Sequence, residues 1–166
     1  MPIIASIDDL EKYINQVGEC LVHPYPGWND ITSLLKGDDV HEREQRAFRW
    51  AEELHLAKKL FLSLAVEQQF TLTSWRKFVQ VYPRRSNQIL NLDEDGLFEV
   101  IRREGGGSSR RLLQMSAMPT DRFGAAMLGL RGKMLVTLCG KVVDDDGQQM
   151  YCFDLTDNWL PDEYGI

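Results

Sequence analysis

Along the last third of the chain, apolar residues recur first at helical and then at strand spacing. Leu97, Phe98 and Ile101 mark one apolar face, ended by Arg102-Arg103-Glu104 and by Gly105, where a left-handed cap is wanted. Ser108 or Ser109 then offers a side-chain oxygen to the free amides of a second helix, Arg110 to Ala117, with Leu112 and Leu113 turned inward and Met115 beside them. Pro119 breaks that helix. Thr120 or Asp121 caps a third, whose Phe123, Met127 and Leu130 fall at i, i+4 and i+7, and whose Ala126 is small enough to admit a neighbour. Past Met134 the period becomes 2: Val136 and Leu138 alternate before Asp146-Gly147, and Tyr151, Phe153 and Leu155 alternate after it, which is a hairpin pattern. Two short helices, a longer one and a hairpin, in that order, make a winged helix-turn-helix. The third helix is then the recognition helix and the hairpin a two-stranded wing.

The earlier chain reads as helical. Ser6-Ile7-Asp8-Asp9 is a capping box ahead of the stripe Leu10, Ile14, Val17 and Leu21, with Gly18 inside it at a cost of about 1 kcal/mol relative to Ala. His23-Pro24-Tyr25-Pro26-Gly27-Trp28-Asn29-Asp30 is dense in breakers and aromatics and must be loop. Its aromatics either line a stacking pocket for a base or plug a core edge, the plug being the commoner use. Asp38 or Asp39 begins the longest helical pattern, His41 to about Ala65. Ala47, Trp50, Leu54, Phe61 and Leu64 lie near one face of it, and Glu42, Arg43, Arg46, Glu53, Lys58 and Lys59 make the other, solvated one. Thr71 or Thr73 caps a further helix, Ser74 to Tyr82, whose stripe of Trp75, Phe78, Val79 and Tyr82 stops before Pro83. The fold class predicted is mainly α (α+β): a helical N-terminal subdomain over 1–88 and a winged-helix subdomain over 89–166, separate or sharing one core.

Composition narrows the function. With 166 residues, 43% hydrophobic and 27% charged, the chain can bury a core as an ordinary globular protein. No run of about 18 apolar residues occurs, and Met1-Pro2-Ile3-Ile4-Ala5 is too short and uncharged for a signal peptide, so a cytoplasmic protein without membrane contact is expected. Cys20, Cys139 and Cys152 are odd in number and lack CxxC spacing; Cys139 and Cys152 face each other across the hairpin as core thiols. His23, His41 and His55 show no metal spacing, and no GxSxG, P-loop or dinucleotide fingerprint occurs, so no catalytic set, metal or cofactor is expected. Gly105-Gly106-Gly107-Ser108 either holds a phosphate on its amides or, more commonly for such a run, connects two helices flexibly. Asp144-Asp145-Asp146 either recruits a divalent cation or is simply solvated.

Charge is segregated. Residues 97–141 carry eight basic and three acidic groups, a net of +5, and the rest of the chain carries −11, which together give the overall −6. A basic helix-turn-helix on an acidic body suits double-stranded DNA, because neutralised phosphates supply most of the affinity. The residues nominated for that contact are Arg110, Arg111, Arg122, Arg131, Lys133, Arg102 and Arg103. Two features oppose it: the wing tip is acidic, and Gly124, Ala125, Gly129 and Gly132 leave only Arg122 and Arg131 to reach base edges from the third helix. A solvated basic face is the bland alternative.

Four segments carry a resemblance: Leu10-(x)3-Ile14-Asn15-Gln16-Val17-Gly18, Phe48-Arg49-Trp50-Ala51-Glu52-Glu53-Leu54, Phe70-Thr71-Leu72-Thr73-Ser74-Trp75 and Phe153-Asp154-Leu155-(x)3-Trp159-Leu160-Pro161. Together they resemble the uncharacterised winged-helix proteins related to the alkylpurine DNA glycosylase AlkZ. The resemblance implies a winged-helix fold and contact with DNA, with no established reaction for the small members. AlkZ-type glycosylases are known for a Gln-x-Gln or Gln-x-Asp pair, whereas this chain has only the adjacent Gln68-Gln69 and Gln148-Gln149. Neighbouring strand residues point to opposite faces and cannot jointly hold a water against one flipped nucleotide. The reading that follows is a non-catalytic winged-helix DNA-binding protein, regulatory in role. The rivals are a protein-interaction module on the same scaffold and a glycosylase-like enzyme with a rewired site.

Overall fold

Residues 3–164 are described by the computed structural model, and the chain divides into two units, Met1–Pro83 and Arg84–Ile166. In the first, α1 (Ile7–Val17) begins where Ser6 Oγ accepts the Asp9 N–H at 3.2 Å, and it buries Leu10 and Ile14. It ends earlier than the stripe implied. Gly18, at φ 93°, donates its N–H to the Ile14 carbonyl and closes the helix, so it is a cap and not an interior glycine; Val17 is exposed and Leu21 belongs to β1 (Glu19–Leu21). Asp30 caps the short α2 (Ile31–Leu34), and Asp39 caps α3 (Val40–Leu56) by accepting the Glu42 N–H at 3.0 Å.

The single long helix expected from His41 to Ala65 is not there. Its second half is β2 (Phe61–Val66), every residue of which is buried, antiparallel to β3 (Gln69–Thr73), which in turn pairs with β1 in the order β1-β3-β2. A continuous apolar run such as Leu60 to Ala65 fits a strand covered on both faces as well as a buried helix, so periodicity alone misassigns it. The hairpin turn gave no warning either. Glu67 and Gln68 both sit at positive φ, 49° and 56°, the signature of a type I′ turn, without the Asn-Gly that normally marks one.

Thr71 and Thr73 therefore lie in a strand. The residue that caps α4 (Trp75–Ser86) is Ser74, whose Oγ accepts the Lys77 N–H at 3.3 Å. Trp75, Phe78 and Tyr82 are buried but Val79 is exposed, and the helix continues through Pro83 instead of stopping before it. The bond Pro83 removes would have ended on the Val79 carbonyl, on the solvent side, where water can replace it.

The second unit runs α5 (Leu92–Glu104), β4 (Gly107–Ser108), α6 (Ser109–Ser116), α7 (Thr120–Gly132), β5 (Val136–Val143), β6 (Gln149–Leu155) and α8 (Thr156–Trp159). Asn91 and Glu94 form a full capping box at the start of α5, and Gly105 at φ 68° ends it. Ser108 caps α6 through the Arg111 N–H. Neither Thr120 nor Asp121 caps α7: its N-cap is Pro119, with no side-chain bond, because both residues already sit inside the first turn.

The sheet has three strands and not two, in the order β4-β6-β5, since Gly107 and Ser108 pair with Phe153 and Cys152. The glycine run is thus built in and is no flexible connection. Gly106, at φ 84°, donates its N–H to the Ile101 carbonyl, and a Cβ there would meet the Phe153 carbonyl oxygen at 2.8 Å. Leu97, Ile101, Leu112, Phe123, Met127, Leu130, Leu138 and Phe153 are buried. Met115 and Tyr151, both expected inside, are exposed. An irregularity at Cys139 shifts the β5–β6 register between Leu138↔Phe153 and Gly140↔Cys152, and beyond it the ribbon leaves the core, so Tyr151 lies under Lys141 Nζ, 5.5 Å from its ring centre. The fold is α+β, mainly helical, with two small antiparallel sheets.

Candidate nucleic-acid interface

The basic residues nominated for DNA are held by their own unit. At the C-terminal end of α5, Arg103 Nε lies 3.1 Å and Arg111 Nη2 3.2 Å from the two oxygens of Glu104, and Arg102 Nε donates to Glu99 at 3.0 Å. The two guanidinium groups hold the Glu104 carboxyl below its ordinary range by direct hydrogen bonds. At the other end of the same helix Arg122 forks onto Asp93, with Nε at 2.9 Å, and depresses the Asp93 pKa in the same way. Asp93 and Glu104 are eleven positions apart on the helix, roughly 16 Å along the axis. Of the nominated residues only Arg103 and Arg111 therefore meet at Glu104, and Arg122 is held at the far end of the helix.

Arg110, on α6, reaches the wing: its Nη1 is 3.1 Å from Asp144 Oδ2 and 3.9 Å from Asp146 Oδ2. Asp144 Oδ1 accepts the N–H groups of Asp146 (3.1 Å) and Gln148 (2.7 Å), so this aspartate builds the turn. Its side chain is only 7% exposed. Among the described residues no group of His, Cys, Asp or Glu is placed to hold a metal ion. Lys133 pairs with the buried Glu94. Arg131 lies over the Phe153 ring, 5.1 Å from its centre, and burial lowers its pKa to about 10. It stacks inside the unit and is not a free probe for base edges.

The outward face of α7 is left to Thr120, Asp121, Arg122, Gly124, Ala125 and Leu128, all exposed. Between Arg122 and the helix end it presents no polar side chain. The whole unit carries ten basic and thirteen acidic residues, a net of −3, so the local +5 is surrounded by the carboxylates that neutralise it.

In the first unit the aromatic loop does not behave as a plug throughout, since Trp28 is 45% exposed. His23 does pack, 6.3 Å from Phe48 and nearly parallel to it, and the two help line an open depression of about 360 Å³ with His41, Glu44 and Gln45. The sequence reading missed Arg43 and Arg46, which it assigned to a solvated face. Both are half-buried, and the Nε of each is shielded from solvent without a hydrogen-bond partner among the described residues. Their i, i+3 spacing was the available signal. Compared with protein-family models, curated proteins and solved structures, the chain matches none of them.

Proposed function

We propose that Arg84–Ile166 is a winged-helix binding module, without catalysis of its own, whose partner is a protein and not a DNA duplex. Support for the scaffold is the element order: helix, short strand, helix, helix and hairpin, with the short strand β4 adding to the hairpin at β6. The likeness to the AlkZ-related proteins points the same way. The observation that carries the choice of partner is the commitment of the basic residues. Arg102, Arg103, Arg110, Arg111, Arg122 and Lys133 each already have a carboxylate, and Arg131 stacks on Phe153.

Exchanging such a carboxylate for a DNA phosphate leaves two anions side by side. Their repulsion offsets part of what the new arginine–phosphate pair contributes. Arg110 shows the problem best, because Asp144 is fixed by its turn and cannot swing away. The exposed Gly124, Ala125 and Leu128 suit close approach of an apolar protein surface, and Asp121 and Asp145, which form no ion pair among the described residues, favour a basic one. Duplex DNA stays as the second reading because Arg102 and Arg103 are each more than 60% exposed and their pairs are breakable.

The test is titration of labelled duplex with the full chain at about 50 and 150 mM salt. The expected result is no saturable binding at the lower salt. A log-log slope of roughly −3 to −4 that falls by about one unit in Arg110→Ala or Arg122→Ala would establish DNA as the partner instead. A benzophenone side chain in place of Leu128 should yield a discrete protein adduct in vivo that the same group in place of Arg102 does not.

A further inference from the structure

The first unit holds two arginines whose Nε–H groups are shielded from solvent and have no hydrogen-bond partner among the described residues. Arg43 and Arg46 are three residues apart on α3, hence neighbours on one face, and both lie against the Lys36-Gly37 turn. Arg46 donates through Nη2 to the Lys36 carbonyl and stacks over Trp50, 5.5 Å from the ring centre, so its position is set. Gly37, at φ 136°, lets both side chains come close to the turn: a Cβ there would lie 3.2 Å from Arg46 Nη2 and 3.8 Å from Arg43 Cγ. The Nε–H of each arginine is buried and without an acceptor, and neither guanidinium forms an ion pair among the described residues. The nearest capping carboxylate, Asp39, is spent on the Glu42 N–H.

Buried donors without acceptors are rare in folded proteins, and two on arginines one helical turn apart, both against the same turn, have a common remedy in an anion that serves both. We propose that Arg43, Arg46 and the Gly37 turn form a binding site for a phosphate group, either inorganic phosphate or the terminal group of a phosphate monoester. A phosphate dianion matches the two guanidinium charges, and its tetrahedral oxygens can each accept from a separate donor. The site lies on the opposite unit from the basic residues that the sequence singled out. It does not depend on the docking proposed for Arg84–Ile166.

The experiment follows the Nε–Hε signals of the ¹⁵N-labelled full chain by NMR during titration at neutral pH with inorganic phosphate and, separately, methyl phosphate, against sodium chloride at equal ionic strength. Saturable shifts of Arg43 and Arg46, with Arg102 unmoved, are expected from at least one of the two phosphates. The tighter of the two identifies the source. Arg43→Lys keeps the charge and the aliphatic stem but loses the Nε–H fork, and should weaken binding about tenfold. Shifts that merely track the chloride control, or saturable binding undiminished in both Arg43→Lys and Arg46→Lys, overturn the proposal; the wild-type titration decides by itself if a variant does not fold.

Discussion

Two glycines of α7 should respond in opposite directions to the same substitution. Replacing an interior helical glycine with alanine ordinarily stabilises by about 1 kcal/mol, through lower backbone entropy in the unfolded chain. Gly124 is exposed, and among the described residues nothing beyond its own helix backbone and chain neighbours lies within 4 Å of an added Cβ, so Gly124→Ala should gain most of that. Gly129 packs on α5: an added Cβ would lie 2.0 Å from Glu94 Oε1 and 2.9 Å from its Cδ. Glu94 is only 4% exposed, and its carboxylate accepts the Asn91 N–H at 3.0 Å while pairing with Lys133. Moving it sacrifices the capping box, about 1 kcal/mol, and strains a buried ion pair whose outright loss costs about 3–5 kcal/mol. Overpacking adds about 1–3 kcal/mol. With partial relaxation and the propensity gain subtracted, Gly129→Ala should destabilise by about 2–4 kcal/mol. Urea unfolding of the full chain by far-UV circular dichroism, with hydrogen exchange at α5 and α7 amides to localise the effect, measures both. Gly129→Ala as stable as the unsubstituted protein would refute the close contact between α5 and α7, and with it the account of Glu94 as their shared anchor.

Phe153→Ala should cost roughly 3–5 kcal/mol in the same assay, because the ring is buried between the second unit's core and Arg131; a loss under about 1 kcal/mol would place it outside the core. Asp93 and Glu104 are held below their ordinary pKa by Arg122 and by Arg103 with Arg111, so their contribution is complete above the unfolded-state value near 4 and is lost as pH falls through the lower folded-state value. The stability gap between the protein and Arg122→Gln should therefore be open at pH 6 and close below about pH 4 in thermal melts. Burial, reinforced by Asp30, pushes the Cys20 thiol up to about 12, and burial raises Cys139 to about 11. At pH 8 Ellman's reagent should thus react with Cys152 first and reach Cys20 only on unfolding, and rapid labelling of Cys20 in the folded chain would contradict its burial.

What was legible in the sequence is what residues within four positions of each other decide. Ser6, Asp39 and Ser108 cap helices because a short side chain reaches an amide three residues on, and Gly105 ends α5 because a left-handed residue suits it; none of this needs the rest of the fold. The Asp146-Gly147 reversal and the alternation of Leu138, Phe153 and Leu155 likewise place a hairpin, and Phe123, Met127 and Leu130 were correctly read as the buried stripe of α7. Tertiary structure decided the remainder. Whether Phe61–Val66 is helix or strand depends on β3 being there to take its hydrogen bonds, and whether α4 may run through Pro83 depends on which side faces water. The candidate site turned most on such remote contacts. Arg122 finds Asp93 from 29 residues away, Lys133 finds Glu94 from 39 and Arg110 finds Asp144 from 34, so a segment that counts as +5 along the chain is neutralised in space. Charge adds along a sequence without regard to distance, but Coulomb energy depends on separation, and separation is set only when the helices and the wing have packed.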